Sequence, residues 1–171
     1  MFARIRSLVA QSAIGCLLAS VALGDPPQTL STTEKRFDWV KVAANAPWQP
    51  RDSSGEAVFA NKLWILGGWF DSFSSPPRDV WSSSDGKTWD KVASQAPWKY
   101  SDLPMTVAFG DRLWMMGGWT NGRLAGHGAT NEVWSSTDGS QWKLEIQAAQ
   151  WAPRLAAGAV EFQGRMWILG G

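Results

Sequence analysis

Few residues in this chain of 171 are equipped for chemistry. It has one histidine, His127, one tyrosine, Tyr100, and one cysteine, Cys16. Transition-metal sites need several nitrogen, sulfur or carboxylate donors, and His127 stands alone in "RLAGHGAT". The sequence has no Gly-x-Ser-x-Gly elbow, no phosphate-cradling loop and no His-Glu-x-x-His. Asp79 and Glu132 look at first like a pair for acid-base work. Each, however, opens one of two near-copies, "DVWSSSDGKTW" at 79–89 and "EVWSSTDGSQW" at 132–142, so the two carboxylates occupy one repeated structural position. A strand-edge role is expected for both, and no metal or cofactor is expected.

The doubled phrase belongs to a longer repeat. Trp39, Trp89 and Trp142 correspond, as do Trp48, Trp98 and Trp151, then Trp64, Trp114 and Trp167. Trp69 pairs with Trp119 and Trp81 with Trp134, and these five classes contain all 13 tryptophans. Only the segment after each Gly-Gly pair changes length, so the elements are fixed and one loop is free.

Each unit reads as four short strands. The first lies around Ala57 to Phe59. "NKLWILGG", "DRLWMMGG" and "GRMWILGG" give a turn and a second strand ending in glycines, where backbone packs closely or takes positive φ. "DVWSS" and "EVWSS" form the third, and an Asp-Gly turn leads to the fourth, a hairpin signal. Asp85 and Asp138 are expected to accept hydrogen bonds from turn amides, with Gly86 and Gly139 left-handed.

Four antiparallel strands in about 50 residues are the pattern of a propeller blade. On Gly67-Gly68, Gly117-Gly118, Gly170-Gly171, the Val-Trp pairs, the closing Trp89 and Trp142, and the blade-opening Arg51 and Arg154, residues 37–171 resemble the kelch family of β-propellers. Trp replaces the usual Tyr at several places, and Ser101 stands where the second blade's opening Arg would be. The resemblance implies an all-β fold of kelch-type blades, about two and a half of them. They are an orphan fourth strand at 37–42, blades at 43–92 and 93–145, and a partial blade at 146–171. A kelch ring usually needs six or seven blades, so further C-terminal blades are expected to close it and to pair with the orphan strand. Galactose oxidase, a copper enzyme with kelch-type blades, uses Tyr, Cys and His ligands that this chain cannot assemble. The turn "SSDGKTW" is also similar to the Asp-box of sialidase-type propellers, one residue shorter, a motif that is structural in that family.

Before the repeat, Arg4 and Arg6 precede an apolar run from Leu8 to Leu23, and Ala22-Leu23-Gly24 offers small residues for a signal peptidase. Residues 1–24 are read as a cleaved secretory signal, and 25–36 as a disordered lead-in. Sixteen residues are short for a membrane anchor, which needs about 20. Lipid attachment at Cys16 has weaker support, because apolar residues follow instead of a polar tether. Cleavage would remove the only cysteine and hence any disulfide. It would also take Arg4 and Arg6 from 16 basic residues, leaving 14 against 15 acidic ones. No basic field remains for nucleic acid or membrane, and the product is expected in the periplasm or outside the cell.

Burial accounts for most of the indoles, since a buried Trp removes on the order of 200 Å² from water. Core positions are expected for the classes of Trp64, Trp81 and Trp89. In an up-and-down blade the second-to-third and fourth-to-first connections share one face, and here that face holds every irregular segment. The candidate ligand-binding residues on it are Arg51, Asp52, Phe70, Arg78, Tyr100, Ser101, Asp102, Arg123, His127 and Arg154, with Trp69 and Trp119 as platforms. The expected function is an exported scaffold engaging a protein or carbohydrate through this loop-rich face. The alternative is part of a periplasmic sugar-active propeller enzyme similar to the sialic acid epimerases.

Overall fold

Short apolar runs bounded by turns build the strands. In the computed structural model, which describes residues 39–171, β1 (Gly55–Phe59) and β2 (Lys62–Leu66) form a hairpin, followed by β3 (Val80–Ser83) and β4 (Asp90–Ala93). They make one antiparallel sheet in chain order. The second unit adds β5 (Met105–Phe109) and β6 (Arg112–Met116), a short ladder of β7 (Trp119–Thr120) with β8 (Gly128–Ala129), then β9 (Val133–Ser136) and β10 (Lys143–Ile146). Its four-stranded sheet runs β10-β9-β6-β5, the same order read backwards. A third hairpin pairs β11 (Gly158–Phe162) with β12 (Arg165–Leu169).

The register repeats with the sequence. Trp64 sits between Ala57 and Ser82, Trp114 between Val107 and Ser135, and Trp167 opposite Val160. Because side chains alternate across a strand, β2 sends Trp64 and Leu66 toward the second sheet, where they meet Leu113 and Met115. β6 sends Trp114 and Met116 the other way, onto Met166 and Ile168 of the third hairpin. Two apolar layers result, one on each side of the second sheet.

Indole N–H groups fasten each unit as well as filling it. Trp64, Trp114 and Trp167 donate to the carbonyls of Phe59, Phe109 and Phe162 at 2.9, 3.1 and 3.0 Å, tying each second strand to the end of the first. Trp89 and Trp142 donate back to Gly86 and Gly139 of their own turns. In those turns Ser83 and Ser136 accept from the amides of Gly86 and Gly139, each at 2.8 Å. Asp85 accepts from Lys87 and Thr88, and Asp138 from Ser140 and Gln141, as expected. These amides lower the Asp85 carboxyl to about 2 and pull Asp138 down by the same cause.

Residues 39–42, the described part of the expected orphan strand, join no ladder among the described residues, and the strands expected to pair with them are those C-terminal to Gly171. Two expectations need correction. The loop after Trp119, expected to be irregular, carries the β7–β8 ladder. Trp167 and Trp39, expected in the core with their classes, are 43% and 100% exposed; among the described residues no further sheet covers the outer face of β12, and Trp39 lies in a segment that joins no ladder. The readings of 1–24 and 25–36 lie outside the described residues.

Candidate functional site

The loop-rich face is organised by the Gly-Gly pairs. Gly67, Gly68, Gly117 and Gly118 all have positive φ, from 58° to 114°, and the chain turns sharply out of the second strand. A Cβ on Gly68 would lie 2.7 Å from the carbonyl of Asp52, so glycine is required there. After the turn, the peptides of Trp69 and Asp52 exchange hydrogen bonds of 2.8 and 2.9 Å, and those of Trp119 and Asp102 do the same at 2.8 and 3.2 Å. Each blade thereby sets an aspartate beside a tryptophan at the same height.

Neighbouring blades are hooked together at this level. Gly68 N–H donates to Ser101 O and Gly118 N–H to Arg154 O. Leu103 N–H donates to Ser53 O and Ala156 N–H to Leu103 O. Ser53, Leu103 and Ala156, repeat equivalents, are held at φ of 57°, 51° and 54°, a left-handed conformation uncommon outside glycine.

Among the expected site residues, several are absorbed by this frame. The Arg51 side chain is 5% exposed, and its guanidinium binds both Asp79 oxygens, at 2.5 and 3.2 Å, while donating to Gly67 O. Asp79 also accepts from Trp81 Nε1 at 2.9 Å, so its lone pairs are committed to the blade. Arg154 repeats the clamp on Gly170 O, and Ser101, where the arginine is missing, donates to Pro77 O at 2.7 Å. Glu132 accepts from Trp134 and Gln147. Phe70 is half-buried and lines none of the cavities described below.

The remaining candidates gather at the junction of the two complete blades. A cleft of 380 Å³ is lined by Arg78, Lys99, Tyr100, Thr120 and Asn121, with Ser75, Pro76 and Gly126 closing it. Neither Arg78 nor Lys99 has an ion-pair partner among the described residues, and no carboxylate lines the cleft. Nearby, a pocket of 210 Å³ is walled by Trp69 and Trp119 and completed by Ser72, Asp102, Gly122 and Arg123. Arg123 N–H donates to Ser72 O, stitching the two variable loops, and His127 stacks on Trp119 at 5.4 Å. Asp102 is 8% exposed, its Oδ1 has no hydrogen-bond partner among the described residues, and burial followed by the charge of Asp52 raises its carboxyl above the usual range. Asp52 itself is exposed and accepts from Ser53 Oγ.

The sequence reading missed Lys99, Thr120, Asn121, Ser75 and Ser72, four of them uncharged and non-aromatic. Their signal was position: Lys99 follows the buried Trp98, and Thr120 and Asn121 follow Trp119 at the start of the free loop. Among the described residues, no three His, Cys, Asp or Glu side chains converge as metal ligands.

No family model and no curated protein matches the chain. Among solved structures 102 chains match, and one of them, described as the structure of YjhT, superposes with a TM-score of 0.59 at 15% identity. The likeness covers 74% of this chain and 39% of that one, so the chain spans well under half of the neighbour's length. At such identity it speaks to architecture, and with two stacked four-stranded antiparallel sheets it decides the fold class. The fold is that of β-propeller blades. The cleft and the pocket therefore lie at a blade-to-blade boundary, on the face where the second-to-third and fourth-to-first connections emerge.

Proposed function

We propose that this chain is an exported, kelch-type propeller module that works as a binding scaffold, engaging a glycan or a glycan-bearing protein through its loop-rich face. The observation that carries this reading is the 380 Å³ cleft, in which a phenol, two hydroxyls and an amide accompany two cations that have no ion-pair partner among the described residues. Hydroxyl-rich ligands are held by such convergent polar groups, and acidic ones gain from the cations. Further blades C-terminal to Gly171 would complete the ring and leave this face open. A glycan array read with the native chain and with Arg78→Ala and Tyr100→Ala tests the proposal. Binding should fall at least tenfold in each variant while the melting temperature stays within a few degrees; retention of full binding by both would remove the cleft from consideration.

A second reading, part of a periplasmic sugar-active enzyme similar to the sialic acid epimerases, draws on one observation. A buried carboxyl with a raised pKa, Asp102, stands beside the cleft and is of the kind suited to proton transfer. Acceleration of sugar-anomer exchange by the native chain, abolished in Asp102→Asn, would favour it over the scaffold.

A further inference from the structure

The pocket beside the cleft has a different chemistry. Its walls are two indoles, and its buried polar group is a carboxylate. Asp102 is 8% exposed and lines the pocket, and behind that surface its Oδ1, shielded from solvent, has no hydrogen-bond partner among the described residues. A buried acceptor without a donor is costly to leave so. The neighbouring blade aggravates the situation by placing Asp52 close enough for its charge to disfavour ionisation of Asp102. The charged groups around the pocket are thus Asp102 and Asp52 on one side and Arg123, exposed at the rim, on the other.

We propose that the pocket formed by Trp69, Trp119 and Asp102 binds an organic cation, a primary ammonium or a guanidinium. The N–H donors of such a group would meet the Asp102 carboxylate where it lines the pocket, and its positive charge would offset the two aspartates. The indole walls add attraction, because an aromatic face draws a cation and packs against the carbons that carry it. In the third unit Leu155 stands where Asp52 and Asp102 stand in the first two, so among the described units the arrangement occurs at this boundary. Arg123 opposes the ligand, a feature that gives the idea a sharp test. Its guanidinium is solvated, and removing it favours a cation but disfavours an anion or a sugar that would use it as a donor. The inference is independent of the glycan reading, since it uses neither Arg78 nor Tyr100.

The experiment is a titration of the full chain with n-butylammonium chloride and with the peptide acetyl-Gly-Lys-Gly-amide, followed by indole N–H NMR shifts and calorimetry. Saturable binding with shifts at Trp69 and Trp119 is expected. Asp102→Asn should weaken it at least tenfold, Asp52→Asn severalfold, and Arg123→Ala should strengthen it severalfold. Sodium butyrate and glucose should leave both indoles unmoved. Tighter binding of the peptide than of the free amine would assign the site to a lysine of a protein partner; equal binding would assign it to small amines. Absence of saturable binding by the folded native chain, unchanged affinity in Asp102→Asn, or weaker binding in Arg123→Ala would each overturn the proposal. A glycan result that fails while amine binding persists would defeat the cleft alone.

Discussion

Leu66 and Leu169 occupy the same position in the first and third units, yet one is wholly buried and the other is 60% exposed. The same contrast runs through the tryptophans, with Trp64 at 4% and Trp167 at 43%, and appears in reverse for Leu63 at 42% and Leu113 at 1%. Each hairpin folds alike, with the same register and the same indole-to-carbonyl bond. What differs is whether a second sheet lies against it. A unit therefore supplies its own ladder hydrogen bonds, and the neighbour supplies most of the hydrophobic stabilisation.

The contrast can be broken most forcefully in the buried layer. Leu66→Ala should cost about 3 kcal/mol in urea denaturation, from lost burial plus the cavity left behind. Leu169→Ala should cost under about 1 kcal/mol, since little is uncovered at that exposed site. Equal losses would mean that the outer face is covered in solution. Next in size comes the arginine clamp. Arg51→Ala leaves Asp79 without its cation inside the blade and should cost about 2 kcal/mol, whereas Arg154→Ala, whose clamp lies at the outer edge, should cost less than half as much.

Smaller effects arise from the titrating aspartates. The folded-state carboxyl of Asp85 is lowered from 3.8 to about 2, so its contribution is present above pH 3.8 and is lost as pH falls toward 2. Asp85→Asn should flatten the acid limb of the stability curve in that window. Asp102 has the opposite sign. Its folded pKa is raised above 3.8, so stability is greatest below that pH and declines as pH rises through the folded value. Asp102→Asn should remove that decline and leave the chain at least as stable at pH 7, as followed by thermal melts between pH 3 and 7.

Features set within one unit were legible in the sequence. The recurrence of Trp64, Trp114 and Trp167, the left-handed Gly-Gly pairs and the Asp-Gly turns all depend on residues close along the chain, and the structure places them as their spacing implied. Features that need two segments far apart were not. The pairing of Arg51 with Asp79 spans 28 residues, and neither residue type announces the other. The burial of Asp102 depends on a bend at Gly117-Gly118 and on packing of the preceding blade, so its sequence looks like any loop aspartate. The β7–β8 ladder was hidden because two-residue strands carry no alternation. Of the candidate site, the face and most of its charged and aromatic members could be read; the division into a cationic cleft and an indole-walled pocket could not.

The backbone hooks from Leu103 to Ser53 and from Ala156 to Leu103 carry one further consequence. They join peptide to peptide, and the positions concerned hold serine, leucine and alanine, three side chains with nothing in common. A joint that ignores side chains does not have to be reinvented each time a module is copied. Tandem duplication of such a unit would deliver a blade able to seat itself at once, with its outward loops free to diverge toward new ligands.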